Sequence, residues 1–112
     1  MQNPKFEIQS GIDDNYYFNL KNIDGKILLS SNSYNTKKRC EEAIRAVREV
    51  SQVEDQFYIN QAGTGQYYFE LKNISNEIVG KSDIYDNTDD LFEEMDFVTE
   101  TAREAAIFYS LN

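Results

Sequence analysis

An α+β fold is predicted: two β-β-β-α units related by a pseudo-twofold axis, forming one antiparallel sheet with both helices packed on one face. Three observations predict it. First, Phe6, Ile8, Tyr16, Tyr17, Phe18, Leu20, Lys21, Asn22, Ile23, Ile27, Ser31, Tyr34, Glu42 and Glu49 return, without a gap, as Phe57, Ile59, Tyr67, Tyr68, Phe69, Leu71, Lys72, Asn73, Ile74, Ile78, Ser82, Tyr85, Glu93 and Glu100. An unbroken register of that length marks a duplicated supersecondary unit. Second, each copy carries apolar residues at period two and then, after its Tyr34 or Tyr85, at spacings of three and four. Third, the chain has 112 residues. A unit of half that length buries too little surface to stand comfortably alone, so the copies are expected to share one interior. The expected organisation is a single intertwined domain over residues 1–112, with repeat one at 5–55 and repeat two at 56–112.

Each element follows from local pattern. Phe and Ile alternate in Lys5–Gln9 and in Gln56–Gln61, which read as opening strands. Polar turns follow at Ser10–Asn15 and Ala62–Gln66. In Tyr16–Lys21, period two sets Tyr16, Phe18 and Leu20 toward a core and Tyr17, Asn19 and Lys21 toward a wetter face; Tyr67–Lys72 repeats this. Asn22-Ile23-Asp24-Gly25 is a hairpin signal, because Asp-Gly accepts positive φ cheaply. Asn73-Ile74-Ser75-Asn76 keeps the turn without the glycine. Lys26–Ser31 and Glu77–Ser82 read as third strands.

Asn35-Thr36 and Asn87-Thr88 then offer helix N-caps. Cys40, Ala43, Ile44, Val47 and Val50 form one apolar stripe, and Leu91, Met95, Val98 and Ala102 another. The second helix is expected to end within Glu100–Ala105. Ala106–Leu111 has the aromatic and β-branched character of a last strand. Ser51–Asp55 is a short polar connection of ordinary length.

Eleven basic and twenty acidic side chains give a net charge of −9. Long-range attraction to nucleic acid or anionic lipid is therefore unfavourable. Residues 1–55 hold eight basic and nine acidic side chains, residues 56–112 three and eleven, so the copies differ in charge while keeping their apolar skeleton. No apolar run approaches the roughly 20 residues of a membrane span. Met1–Lys5 has no apolar stretch behind it, so no secretory signal is expected. A lone cysteine excludes an internal disulfide, and a cytoplasmic protein is expected.

The residues Tyr16–Asn22, Asp24-Gly25, Ile27-Leu28, Ser30-Ser31 and Tyr34–Lys37, together with Tyr68–Asn73, Ser82 and Tyr85, resemble the YegP-like family of small bacterial proteins. The resemblance covers nearly the whole chain. It implies tandem β3-α-β units in one sheet, with the strands that follow the helices exchanged between units. It implies no activity, cofactor or catalytic residue. Gly80-Lys81, where the first copy has Leu29-Ser30, and the acidic second helix depart from the pattern.

Chemistry-bearing groups are sparse. The chain has no histidine, which removes the usual neutral-pH acid–base group. With one cysteine besides, thiolate–imidazole catalysis and structural zinc are excluded. Gly63-Thr64-Gly65 lacks the helix and lysine of a phosphate loop. No catalytic, cofactor or metal residue is assigned, and no enzyme is expected. Cys40 is expected in the core, the alternative being a redox-sensitive thiol beside Lys37, Lys38 and Arg39. Asp83, Asp86, Asp89, Asp90, Glu93 and Glu94 lack the glycine and alternation of a calcium loop and read as a solvated helix start.

Two features are candidate binding surfaces. Lys37, Lys38 and Arg39 place cations in a helix's first turn, against its macrodipole. They either reach into water, meet an acidic protein surface, or hold an anion. Tyr17, Lys21, Tyr68 and Lys72 recur on the outer sheet face as aromatic and cationic pairs, a combination that can stack single-stranded nucleic acid or simply pack across strands. The expected function is a non-enzymatic binding or interaction module, a monomer, with a protein partner ahead of nucleic acid. An RNA- or small-anion-binding accessory protein is the alternative.

Overall fold

The computed structural model describes residues 3–111; Met1, Gln2 and Asn112, at the limits of the expected span, lie outside the described residues. Along the chain come β1 (Lys5–Ser10), β2 (Tyr16–Lys21), β3 (Ile27–Ser30), α1 (Lys37–Val50), β4 (Phe57–Gly63), β5 (Gln66–Lys72), β6 (Ile78–Lys81), α2 (Thr88–Glu104) and β7 (Ala106–Ser110). All strands lie in one sheet, in the order β4-β5-β6-β3-β2-β1-β7. Phe6 pairs with Leu20 and Ile8 with Phe18, while Phe57 pairs with Leu71 and Ile59 with Phe69. The halves meet where β3 and β6 pair, Ser30 opposite Lys81.

Side chains repeated in the sequence have local structural work. The Oγ of Ser31 accepts from the Phe18 amide at 2.9 Å and that of Ser82 from the Phe69 amide at 2.9 Å, ending β3 and β6 by capping the neighbouring strand. Tyr16 and Tyr34 exchange two backbone hydrogen bonds, and so do Tyr67 and Tyr85, which pins the chain as it leaves the sheet for each helix. The Asn22 Oδ1 accepts from the Asp24 and Lys26 amides, and the Asn73 Oδ1 from those of Ser75 and Glu77. Within these turns Gly25 has φ 81° and Asn76 φ 66°; asparagine tolerates the left-handed region better than most side chains. Thr36 and Asn87 are the N-caps, accepting from the Arg39 and Asp90 amides.

The inward side chains of the sheet and the stripes of both helices join one buried cluster that includes Phe6, Phe18, Leu29, Ile44, Val47, Phe69, Leu91 and Val98. Each fully buried Phe, Leu, Ile or Val contributes about 1.5–3 kcal/mol. Cys40 is wholly buried there, and burial, with a smaller contribution from Glu41, pushes its thiol up to about 11. A thiol so placed packs as a small apolar group.

Three expectations are corrected. The sheet is mixed: β7 runs parallel to β1, Phe6 opposite Ile107 and Ile8 opposite Tyr109. A tight turn forces antiparallel pairing, whereas β7 arrives after a helix, and such a crossover imposes no antiparallel partner. Asn19 is buried, in line between Glu7 and Ser30 on the neighbouring strands. Glu94 is no part of a solvated helix start, because only 3% of it is exposed.

Candidate functional site

Alternation along the strands gives the sheet a second face, opposite the buried cluster. One row crosses all seven strands of the described residues there: Tyr58, Glu70, Lys81, Ser30, Asn19, Glu7 and Phe108. Four lysines (Lys5, Lys21, Lys72 and Lys81) stand on this face beside two glutamates, Glu7 and Glu70. The face is therefore locally positive on a chain of net charge −9.

The halves hold these cations differently. Lys21 Nζ donates to Glu7 Oε1 at 2.7 Å, Gln9 Nε2 donates to the same oxygen at 2.9 Å, and the Tyr17 hydroxyl donates to Gln9 Oε1 at 2.6 Å. The Lys21 hydrogen bond holds the Glu7 carboxyl below the ordinary glutamate value. Tyr58 stands where the first half has Glu7, so among the described residues the second half has no equivalent ion pair. Instead Lys72 Nζ lies 4.4 Å from the Tyr58 ring centroid and Lys81 Nζ 4.6 Å from that of Tyr68. Lys5 covers Phe108 in the same way at 4.8 Å. Such cation–π contacts contribute about 0.5–1 kcal/mol at exposed sites.

The expected residues do not form one patch. Tyr17 and Lys21 lie on β2, Tyr68 and Lys72 on β5, with β3 and β6 between, about 14 Å apart at the usual strand spacing. Lys37, Lys38 and Arg39 are exposed at the start of α1, in the helix layer on the opposite side. Lys37 Nζ lies 5.7 Å from the Tyr109 ring centroid, and the Tyr109 hydroxyl donates to Glu41. Arg39 lines a cleft of about 220 Å³ with Tyr34, Asn73 and Glu77. Among the described residues none of the three forms a salt bridge, so of the alternatives an ion pair with acidic α2 is not made.

Besides Asn19, sequence reasoning missed the buried Glu94. Glu94 Oε1 receives Lys26 Nζ at 3.5 Å, while Glu94 Oε2 and the Tyr85 hydroxyl are buried without a hydrogen-bond partner. Burial, and then the neighbouring Glu94, push the Tyr85 hydroxyl pKa up. The counterpart of Glu94 in the first half is Ala43, and that of Lys26 is Glu77. The mismatch between Glu94 and Ala43 on matching helical faces was the signal available in the sequence. Among the described residues no group of three or more acidic or cysteine side chains is placed to hold a metal ion. No described helix is long and apolar enough to cross a membrane.

Comparison with known proteins places this architecture. Residues 13–57 match the model of a domain of unknown function, DUF1508. A UPF0339 protein of Photorhabdus laumondii is 35% identical over 82 residues, covering 73% of this chain and 72% of that protein. The UPF0339 protein YegP of Escherichia coli is 34% identical over 80 residues, 71% of this chain and 73% of YegP. The solution structure of E. coli YegP superposes with a TM-score of 0.92 at 25% identity, covering 100% of this chain and 97% of that one. That of a UPF0339 protein from Shewanella oneidensis gives 0.90 at 25% identity, covering 96% and 92%. Chain-wide agreement in fold, with identity above 30% over most of the sequence, makes this protein a member of the UPF0339 family.

Proposed function

We propose that this protein is a monomeric, cytoplasmic, non-enzymatic binding module whose partner is another protein, engaged through the outer sheet face. We further propose that it is a tandem duplication about a pseudo-twofold axis between β3 and β6, its β3-α-β units sharing one interior and the strand after the second helix exchanged onto the first unit. The observation that carries the functional reading is the outer face itself: a broad surface of Tyr17, Tyr58, Tyr68 and Phe108 interleaved with lysines, on a chain without histidine. Aromatic side chains such as these are enriched where proteins meet, whereas lysine is depleted there. A net charge of −9 disfavours a polyanion.

One observation favours a second reading, an RNA- or small-anion-binding accessory protein. The outer face is locally cationic, and Lys37, Lys38 and Arg39 have no carboxylate partner among the described residues. Salt separates the two. We expect protein partners captured on the intact chain to stay bound between 50 and 200 mM salt, within about threefold in affinity, and to be lost on Tyr68→Ala or Tyr17→Ala. Binding to single-stranded polynucleotide that falls steeply over the same range, as counterion release requires, overturns the protein reading in favour of the second.

A further inference from the structure

The two ends of the sheet are unequal. Beside β1 lies β7, parallel, with Ile107 opposite Phe6 and Tyr109 opposite Ile8. Beside β4, the strand fifty-one positions on, nothing pairs among the described residues. The path of the chain accounts for this: the segment leaving α1 turns through Glu54–Gln56 and becomes β4 itself, so among the described residues no strand lies beside it. The cost shows in the side chains. Ile8 is 0% exposed, while its counterpart Ile59 is 44% exposed. Phe6 is fully buried and Phe57 only partly.

The helix side of the vacant position is shaped for an apolar residue. Where β7 lies, Tyr109 meets Glu41 and Lys37 of α1. The counterpart of Glu41 on α2 is Phe92, itself 47% exposed. Phe57, Phe92, Met95 and Thr99 line a cleft of about 300 Å³, with Glu54 and Asp96 at its walls. An irregularity between Gln61 and Gly63 limits the straight part of β4 to five residues, the length of β7.

We propose that the free edge of β4 is a docking site for an extended segment of another protein, apolar at alternate positions and flanked by lysine or arginine, which adds to the sheet parallel to β4 as β7 adds to β1. This rests on the reading of the protein as a duplicated, protein-binding module, and it names a second surface and the partner's chemistry. Strand addition draws affinity from main-chain hydrogen bonds and specificity from the pockets under alternate side chains. Here the residue opposite Phe57 enters the cleft, and the residue opposite Ile59 lies over Phe92. Leucine or valine suits that second position better than the tyrosine of β7, since no glutamate waits for a hydroxyl. Glu54 and Asp96 select the flanking cations.

The test titrates the isotope-labelled intact chain with the synthetic peptide Lys-Lys-Ala-Ile-Phe-Leu-Ser-Lys-Lys, against a control with Gly and Ser in place of the apolar core. We expect amide shifts and slowed hydrogen exchange at residues 57–61 with the first peptide only. We also expect at least tenfold weaker binding to Ile59→Lys and to Phe92→Glu, both exposed positions whose melting temperatures should stay near that of the parent. No binding at millimolar peptide overturns the proposal. Shifts confined to the outer face around Tyr17 and Tyr68 also overturn it, but leave the protein-binding reading standing. Uptake of polynucleotide with no response to either peptide or any protein sinks both. Concentration-dependent protection of residues 57–61 without peptide, with a doubled mass in light scattering, makes a second copy the occupant and overturns the hetero-partner assignment.

Discussion

Gly80 and Leu29 show how single residues let two similar halves meet. They occupy matching positions in β6 and β3, at the centre of the sheet. A Cβ built on Gly80 falls 2.6 Å from Leu29 Cγ, so leucine in both places could not coexist. Gly80→Ala should therefore cost about 1–3 kcal/mol by overpacking, read from urea denaturation. Combining it with Leu29→Ala should cost less than the two single changes summed, since the double variant removes the clash. Glu94 makes the opposite case, a buried carboxylate held by one half-exposed lysine. Lys26→Ala should destabilise by about 1–3 kcal/mol, because the carboxylate stays buried without its cation. Glu94→Met should be neutral or stabilising, as apolar replacements of buried ion pairs often are. Glu7 supplies a pH dependence. Its folded pKa lies below the ordinary 4.5, so its contribution is complete above that value and lost as pH falls through the folded pKa. A pH series of thermal melts should show a shallower acid limb for Glu7→Gln than for the parent.

At the scale of elements, the cations at the start of α1 are the informative anomaly. Thr36 caps the helix, but α1 has no acidic residue in its first turn, whereas α2 has Asp89 and Asp90. Lys38→Glu should therefore stabilise the free protein by about 0.3–1 kcal/mol at low salt, and the gain should fade as salt rises; an unchanged or lowered midpoint would show that Lys38 has a favourable contact at home. Most elements were legible because their patterns are local. Strand parity, the Asp24-Gly25 turn and the caps at Thr36 and Asn87 depend on neighbours a few residues apart. The parallel pairing of β7 was not legible, because direction after a helical crossover is written in no local pattern. Asp13 and Asp14, both at positive φ in a 3-10 turn, read only as part of a polar loop. Of the candidate site, the outer-face placement of Tyr17, Lys21, Tyr68 and Lys72 followed from period two. Their partners did not, since Glu7 against Tyr58 is a difference between the two halves whose effect needs the strand pairing.

The whole molecule raises the question of whether either half can exist alone. Its Cα radius of gyration is 13.5 Å, against about 13 Å for a compact domain of this length. The buried cluster draws on both halves at once: Phe6, Phe18 and Ile44 share it with Phe69, Leu91 and Val98. Contacts between halves are polar as well as apolar. Arg48 donates to the Ala105 carbonyl at 2.7 Å, the Thr99 hydroxyl donates to the Ser51 carbonyl at 3.0 Å, and Arg103 donates to Gln52 Oε1. Residues 1–55 alone would lose β7 from the edge of β1, β6 from β3, and the α2 side chains that cover the inner face. Phe6, Ile8 and Leu29 would then face water, forfeiting about 1.5–3 kcal/mol each, a sum comparable to the whole stability of a small domain. The intact chain should unfold in one cooperative step with a concentration-independent monomer mass. The 1–55 fragment should show neither a sigmoidal urea transition nor dispersed amide resonances, unless two fragments pair and restore the missing half. A fragment that stays monomeric and melts cooperatively would mean that each copy closes its own core, and the comparison of β1 with β4 would lose its basis.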